Sequence, residues 1–239
     1  MSLSALDLLT VDEDARLLTL TEYDILHSLR EPVFDEFVAL ATCLFKLPIS
    51  LIALVGAEEV GYKAALGLPK LTRQARQEAI CALVVRQNRA VVFTDLNQAE
   101  QHEQLTAAAY ANAQRQQLRF YAGIPLCMPD QRAIGTFCII GRQPRDFGLP
   151  ELRVLEIMAH LIERLIMVRH ACLASNWLGG APWQLVQGYV MENLQKLTDL
   201  THDTAHVSQE AVPPDVLQVA VRQLNELGAV LAEPLPGFV

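Results

Sequence analysis

The chain has 239 residues, of which 51 % are hydrophobic and 19 % charged, a balance that supplies a buried core and excludes an intrinsically disordered chain. Its formal net charge of −8 lacks the positive field that draws a protein to a nucleic acid or to an anionic lipid surface, so neither is expected as a partner. The five cysteines are odd in number and scattered, and the sequence contains neither a signal peptide nor an apolar run of membrane-spanning length, so free thiols and a cytoplasmic location are expected.

The first part of the chain predicts two helices and a hairpin. Apolar residues recur at helical spacing over 12–29 and again over 33–45, and Glu31-Pro32 separates the two because proline restricts the residue before it. An apolar, β-rich run over 49–55 then precedes a turn and a second short run over 60–64. These two runs predict a β-hairpin.

The middle of the chain alternates between helix and strand. Helical spacing over 74–87 is followed by a short strand over 90–93 and by an Ala- and Gln-rich stretch over 99–117, which predicts one helix with most of its surface in water. Two longer strands, 119–127 and 133–140, flank a Pro-Asp turn and predict a second hairpin.

The last part is predicted to be helical. A long helix begins at Leu149-Pro150 and continues to about residue 173, and its apolar positions cover more than one stripe. One stripe is expected to pack on the sheet and another to remain free, which predicts a homodimer through helix 150–173. Gly, Gly and Pro within 176–182 mark a boundary, and two more helical patterns follow over 183–201 and 214–231.

This order of elements predicts an α+β fold with one antiparallel sheet flanked by helices. Several segments in the same order resemble the GAF domain of bacterial signalling proteins: Tyr23-Asp24-Ile25-Leu26, Glu31-Pro32-Val33-Phe34-Asp35, Pro48 to Val55, Tyr62-Lys63-Ala64 with Leu66-Gly67-Leu68, Arg76 with Ile80-Cys81-Ala82, Val91 to Leu96, Leu118 to Leu126, and Ile134 to Ile140. The similarity spans roughly residues 16–170. Its most specific part is the Arg-Phe-Tyr-Ala-Gly-x-Pro-Leu segment followed by Gly-Thr-x-Cys.

The resemblance implies a central sheet of about six strands, helices on one face that often mediate dimerisation, and a small-molecule pocket on the other face. It divides the chain into a GAF-like domain, residues 1–174, and a helical C-terminal extension, residues 175–239. Leu83 stands where this subgroup commonly has a histidine, and the chain lacks the Cys-His pair that holds bilin chromophores, so bilin is disfavoured. Phe34-Asp35-Glu36 lies in the second helix, which leaves cyclic-nucleotide binding unsupported. The ligand and any cofactor therefore stay unassigned.

Six residues are candidates for ligand contacts: Tyr62, Cys81, Asp95, Arg119, Tyr121 and Cys138.

Each candidate also has a purely structural interpretation. Cys81 lies near a helix start, where the helix dipole and Arg76 would favour a thiolate, but a small buried hydrophobe is the commoner role of a free cysteine. The Tyr121 hydroxyl either meets a ligand or is satisfied by the backbone, and Asp95 either meets a ligand or caps a turn. Strand neighbours Cys127 and Cys138 would form either a reversible disulfide or two packed thiols, and a reducing compartment favours the thiols.

His202 and His206, with Asp203 between them, have the i, i+4 spacing of a helical two-histidine zinc motif. The acid is Asp rather than Glu, and no third ligand is evident, so a solvated helix face is the preferred interpretation and no metal is expected.

The expected function is a sensory or regulatory module that binds a small ligand or a protein partner and signals through helix-mediated dimerisation, without catalysis. One alternative is a thiol-based enzyme of the GAF-type free methionine sulfoxide reductase kind, with its nucleophile and resolving thiol among Cys81, Cys127 and Cys138. The other is a structural dimerisation domain without a ligand.

Overall fold

The structure is a computed structural model that describes residues 8–23, 31–68, 72–174, 181–204 and 212–232. Its helices and strands are, in chain order, α1 (Glu13–Glu22), α2 (Pro32–Phe45), β1 (Ile49–Val55), β2 (Glu59–Leu66), β3 (Arg73–Ala75), α3 (Ile80–Gln87), β4 (Val91–Phe93), α4 (Ala99–His102), α5 (Ala107–Arg115), β5 (Phe120–Cys127), β6 (Ala133–Gly141), α6 (Leu149–Ala174), α7 (Ala181–Thr204) and α8 (Pro214–Ala232).

The six strands form one sheet in the order β3-β2-β1-β6-β5-β4, and all neighbours are antiparallel. β1 and β6 lie at the centre and are buried along their whole length, because helices cover both faces of the sheet there. Because both faces of β1 and β6 are buried, their sequences are continuous hydrophobic runs rather than an alternation of apolar and polar residues. The predicted α+β architecture with a six-stranded antiparallel sheet is confirmed.

A layer of helices covers one face of the sheet. α2 and α6 pack directly on it, and the core between them contains the fully buried Phe37, Phe120 and Phe137. The C-terminal helices form the next layer, with α7 against α2 and α8 against α6. Gln195 donates a hydrogen bond to Glu36 at 2.8 Å, and Arg164 donates one to the Gly228 carbonyl at 2.6 Å. The second apolar stripe of α6 is therefore in contact with α8 of the same chain.

The other face of the sheet carries α3 and α5 over a separate, smaller core. α3 is buried from Ile80 to Val85, whereas α5 buries only Ala109 and Ala113. The N-cap of α5 is Thr106, whose side-chain oxygen accepts a hydrogen bond from the Ala109 amide at 3.0 Å. This thinly covered side of the sheet is where the candidate site lies.

Two sequence predictions need correction. Residues 73–75 form β3 and residues 76–78 a 3₁₀ turn, so the predicted helix over 74–87 begins only at Ile80. Pairing of Glu59 and Gly61 with this segment overrides its helical pattern. The predicted single helix over 99–117 is two helices, because the helical conformation ends at His102 and begins again only after the N-cap residue Thr106. The last part of the predicted first helix and most of the predicted boundary at 176–182 lie outside the described residues.

A buried ion cluster attaches α1 to the end of the sheet. The Glu13 carboxylate accepts hydrogen bonds from Arg16 and Arg76, whose residues are only 2 % and 5 % exposed. Arg16 also donates to the Val55 carbonyl at 2.7 Å, and Arg76 donates to the Leu8 carbonyl at 2.8 Å. One carboxylate and several backbone oxygens thus accept hydrogen bonds from both guanidiniums, whereas the buried Arg76 Nε has no partner among the described residues.

None of the described helices has the length and hydropathy that a membrane crossing requires.

Candidate functional site

A small cavity of about 30 Å³ lies between the sheet, α3 and α5. Its lining is mostly apolar, with a few polar groups: Leu51, Tyr62, Leu68, Gln74, Glu78, Ala79, Ile80, Cys81, Ala109, Asn112, Ala113, Gln116, Leu118, Tyr121 and Ile140. A space of this size holds one or two water molecules. An apolar enclosure with a few directed polar groups is the usual composition of a small-molecule site.

Side-chain amides and a tyrosine form the polar wall of the cavity. The Tyr62 hydroxyl donates to the Gln74 Oε1 at 2.8 Å, and the Gln74 amide donates to the Glu78 carbonyl at 2.7 Å. Asn112 on α5 donates to the same carbonyl at 3.4 Å. Burial, with smaller effects from Cys81 and Cys138, raises the pKa of Tyr62, so its hydroxyl remains a neutral donor.

The floor of the cavity contains two thiols and a second tyrosine. Cys81 on α3 and Cys138 on β6 are hydrogen-bond partners, and the Tyr121 hydroxyl donates to the Cys81 Sγ at 3.7 Å. The Thr136 hydroxyl, which has no other partner among the described residues, also lies near Cys81. All of these groups come from the fully buried part of the sheet or from the first turn of α3.

The two thiols are electrostatically unequal. The hydrogen bond from Cys138 is the largest influence on Cys81 and lowers its pKa against the opposing effect of burial, with Thr136 and Tyr121 contributing in the same direction. The same hydrogen bond, together with burial, holds the pKa of Cys138 well above its ordinary value. Burial likewise raises the pKa of Tyr121. Negative charge in the cavity would therefore reside on the Cys81 sulfur.

The position of the Tyr121 ring depends on Gly123. A Cβ atom at residue 123 would lie 2.5 Å from the Tyr121 hydroxyl oxygen, which is too close for any real contact. Gly123 pairs with Cys138 across the sheet, so the missing side chain leaves room for the tyrosine hydroxyl beside the thiols.

The structure brings four of the six predicted site residues together. Tyr62, Cys81 and Tyr121 line the cavity, and Cys138 lies next to Cys81. Successive residues of β5 face opposite sides of the sheet, because Tyr121 faces the cavity side and Phe120 the opposite core.

The other two predicted residues, Asp95 and Arg119, are not part of the cavity lining. The Arg119 Nε and Nη2 atoms donate to the two Asp95 carboxylate oxygens, each at 2.7 Å. Asp95 also accepts a hydrogen bond from the Asn97 amide at 3.0 Å, as expected for a residue that stabilises a turn. The two side chains are thus paired with each other rather than directed at the cavity.

Two further expectations about the cysteines are corrected. Arg76 does not act on Cys81, because its guanidinium is held by Glu13 and by backbone carbonyls at the end of the sheet. Cys127 does not face Cys138, since it pairs with Ala133, about 16 Å along the strand at roughly 3.3 Å per residue. The Cys127 thiol instead contacts the Asn88 side chain at 3.2 Å.

Sequence reasoning missed the polar wall, which is formed by Gln74, Glu78, Asn112 and Gln116. Gln74 and Glu78 lie in the first part of the helix predicted over 74–87, and Asn112 and Gln116 lie in the helix over 99–117 that is predicted to have most of its surface in water. For Asn112 and Gln116 the available signal was the concentration of side-chain amides among the alanines of residues 107–117, which places polar groups on a helix with mostly small side chains.

Metal binding has no further support in the described part of the chain, where no group of three or more His, Cys, Asp or Glu residues is close enough to hold an ion. His206 and the side chain of His202 lie outside the described residues, so the predicted histidine pair stays a prediction.

Comparison with known families decides the classification. The GAF domain family matches residues 24–166, which is more than half of the chain. The chain belongs to the GAF domain family. A cyclic di-GMP phosphodiesterase of Pseudomonas aeruginosa is 27 % identical over 168 residues, which are 70 % of this chain and 27 % of that protein. The chain thus spans about a quarter of the length of this curated relative.

Several solved GAF structures are similar at low sequence identity. The GAF domain of an Acinetobacter phosphoenolpyruvate-protein phosphotransferase has 19 % identity and a TM-score of 0.48, covering 71 % of this chain and 98 % of that one. A GAF region of a Geobacter sulfurreducens membrane protein has 17 % identity and a TM-score of 0.47, covering 65 % and 97 % of the two chains. The PixJ GAF domain of Thermosynechococcus elongatus has 18 % identity and a TM-score of 0.48, covering 61 % and 92 %.

Proposed function

We propose that this GAF domain is a sensory module that binds a small molecule beneath α5 and transmits the bound state through the sheet to its helix layer. The observation that carries the proposal is the cavity itself. It is apolar, has directed polar groups on one wall and is covered by a helix that buries only two alanines.

Ligand entry would require α5 to move. The cavity volume of about 30 Å³ is far below the roughly 300–1,000 Å³ of pockets that hold drug-sized ligands. α5 is attached to the segment below it mainly by hydrogen bonds from Thr106 to the Gln77 carbonyl and from Asn112 to the Glu78 carbonyl. An element with few buried apolar contacts opens at low free-energy cost, so α5 is the natural cover of the site.

The route to the helix layer runs through β5. Tyr121 faces the cavity, while its neighbours Phe120 and Ala122 face the core beneath α6. A shift of the Tyr121 ring on ligand binding would therefore alter the packing under α6, which in turn contacts α8. Packed helices have discrete arrangements, which a ligand can bias.

We further propose a regulatory rather than a catalytic role. The Pseudomonas relative is named for hydrolysis of cyclic di-GMP, but the shared segment is only 27 % of its length. The cavity is also too small for a dinucleotide unless α5 is displaced. Assaying this chain for cyclic di-GMP hydrolysis tests the point, and turnover would refute it.

The proposed module acts as a homodimer through α6 in a reducing cytoplasm, where its five free cysteines are thiols in the absence of an oxidant. α8 covers the part of α6 around Leu161. A second copy of the chain would therefore either contact the side of α6 that carries Arg153, Glu156 and His160, or take the place of α8. Light scattering at micromolar concentration tests this assembly, and a monomeric mass would refute it.

Native mass spectrometry tests ligand binding. The protein is incubated with the low-molecular-mass fraction of a cell extract and then desalted. The wild type should retain an added mass that Ala113→Leu lacks, because Ala113 is buried against the cavity. Ala111→Leu, the same change on the exposed side of α5, is the matched control and should retain it. Absence of added mass from the wild type, or equal retention by both variants, would contradict the proposal.

A further inference from the structure

Two of the five cysteines form a buried pair that the proposed binding function does not use. Cys81 is 3 % exposed and Cys138 is fully buried, α3 packs on β6, and the interaction between the two thiols is the largest influence on the pKa of each. They belong to different elements, the first turn of α3 and the central strand β6. The residues are 57 positions apart in the sequence, so their contact depends on the complete fold.

Only Cys81 of the two lines the cavity. The volume of about 30 Å³ above it matches a water-sized molecule, and hydrogen peroxide is only slightly larger than water. The Tyr121 hydroxyl points at the Cys81 sulfur from 3.7 Å, so a donor is also present where a peroxide oxygen would leave. The site thus combines a sulfur, a space of suitable size and a hydrogen-bond donor.

We propose that Cys81 and Cys138 are a hydroperoxide-sensitive thiol pair, in which Cys81 is the sulfur that is oxidised first and Cys138 is the resolving thiol. In the first step the Cys81 sulfur attacks one peroxide oxygen, the O–O bond breaks, and the leaving oxygen takes the thiol proton and departs as water. Cys81 is then a sulfenic acid.

In the second step the Cys138 sulfur attacks the Cys81 sulfur. The S–O bond breaks, and the departing hydroxide takes the Cys138 proton and leaves as a second water molecule. The pair of thiols has lost two hydrogens and two electrons to hydrogen peroxide, and a disulfide has formed. The lowered pKa of Cys81 agrees with its role as the sulfur that is oxidised first, because the thiolate is the nucleophile.

The other cysteines lack these features. Burial and the nearby Glu163 raise the pKa of Cys127 to about 11, and its thiol contacts Asn88. Cys43 contacts Thr198 and Thr201 on α7. Cys172 is buried in the core beneath the helix layer.

A disulfide at this position would also act on the cover of the cavity. Cys81 lies three residues after Glu78, and the carbonyls of Gln77 and Glu78 accept the hydrogen bonds of Thr106 and Asn112. Drawing α3 towards β6 would move these acceptors relative to α5. The oxidation chemistry needs no bound ligand, so it stands or fails separately from the proposed binding function.

The test exposes the folded, reduced chain to hydrogen peroxide, quenches it, alkylates the remaining thiols after denaturation and identifies the peptides by mass spectrometry. The expected product is a cross-link between the peptides containing Cys81 and Cys138, which has lost two hydrogens and is reversed by dithiothreitol. In Cys138→Ser, the sulfenic acid should be trapped by dimedone on Cys81, at a rate about tenfold or more above that of Cys127.

Cys127→Ser is the matched control and should form the same cross-link as the wild type. The proposal is overturned if wild-type Cys81 remains alkylatable under conditions that fully oxidise glutathione, or if the cross-link joins other cysteines. It is also overturned if dimedone labels Cys138 in Cys81→Ser faster than it labels Cys81 in Cys138→Ser. The wild-type measurement decides the question even if a variant does not fold, and circular dichroism checks the folding of each variant.

Discussion

The buried ion cluster at Glu13 gives the sharpest stability prediction. Glu13→Gln keeps the shape and an oxygen acceptor but removes the charge that faces Arg16 and Arg76. Removing one member of a buried ion pair costs about 3–5 kcal/mol, because the remaining charge stays buried without compensation. The Glu13 side chain is 14 % exposed, and both guanidiniums keep backbone acceptors, so the lower end, about 3 kcal/mol, is expected at pH 7.

The pH dependence of this loss has a definite sign. Burial alone would raise the pKa of Glu13, but the hydrogen bonds from Arg16 and Arg76 outweigh it and hold that pKa well below its ordinary value. A carboxyl group whose folded pKa is lowered stabilises the fold above its unfolded pKa of about 4.3, and this contribution declines as the pH falls below that value. The difference between wild type and Glu13→Gln should therefore be largest at neutral pH and shrink towards pH 3.

Urea unfolding followed by circular dichroism at several pH values measures this difference. At pH 7 the midpoint should fall by about 1 M, for a slope of about 3 kcal/mol/M. Glu59→Gln is the matched control, since Glu59 pairs with Arg73 but both side chains are roughly half exposed, and it should change stability by less than about 1 kcal/mol. The reasoning is refuted if the two variants behave alike or if the Glu13→Gln difference is independent of pH.

Three further substitutions have defined outcomes. Asp95→Asn should cost less than about 1 kcal/mol in a thermal melt, because the Arg119 side chain of the pair is one-third exposed, and a larger loss would show that the pair is structurally essential. Phe137→Ala should destabilise by about 3–5 kcal/mol in urea, because Phe137 is fully buried at the centre of the sheet, and a loss under 1 kcal/mol would contradict that placement. Gly123→Ala should cost about 1–3 kcal/mol and change the near-ultraviolet circular dichroism of Tyr121, because its Cβ would meet the tyrosine hydroxyl, and an unchanged spectrum would contradict the contact.

The central strands and the long helix were predictable because their apolar runs are long and end at clear turns. β1 has its predicted bounds, and β5, β6 and α6 differ from theirs by a residue or so. β3 was not predictable, because three residues become a strand only by pairing with β2. The packing of α8 on α6 was equally hidden, since an apolar stripe does not reveal which surface will cover it.

The candidate site was partly predictable for similar reasons. Strand alternation places Tyr121 on the cavity side, and the GAF resemblance pointed to Tyr62, Cys81 and Cys138. The contact between Cys81 and Cys138 arises from the packing of α3 on β6, and the pairing of Asp95 with Arg119 arises from adjacent strand ends. Neither contact follows from local sequence patterns.

Hydrogen exchange over residues 107–115 tests the central claim, that α5 covers a ligand site, most directly. Exchange of the wild type is measured with and without the low-molecular-mass fraction of a cell extract. The account predicts that the α5 amides exchange faster than those of α3 in the free protein and become protected in the extract, whereas Ala113→Leu shows no added protection. Exchange of α5 that is as slow as that of α3 and unchanged by the extract would contradict it.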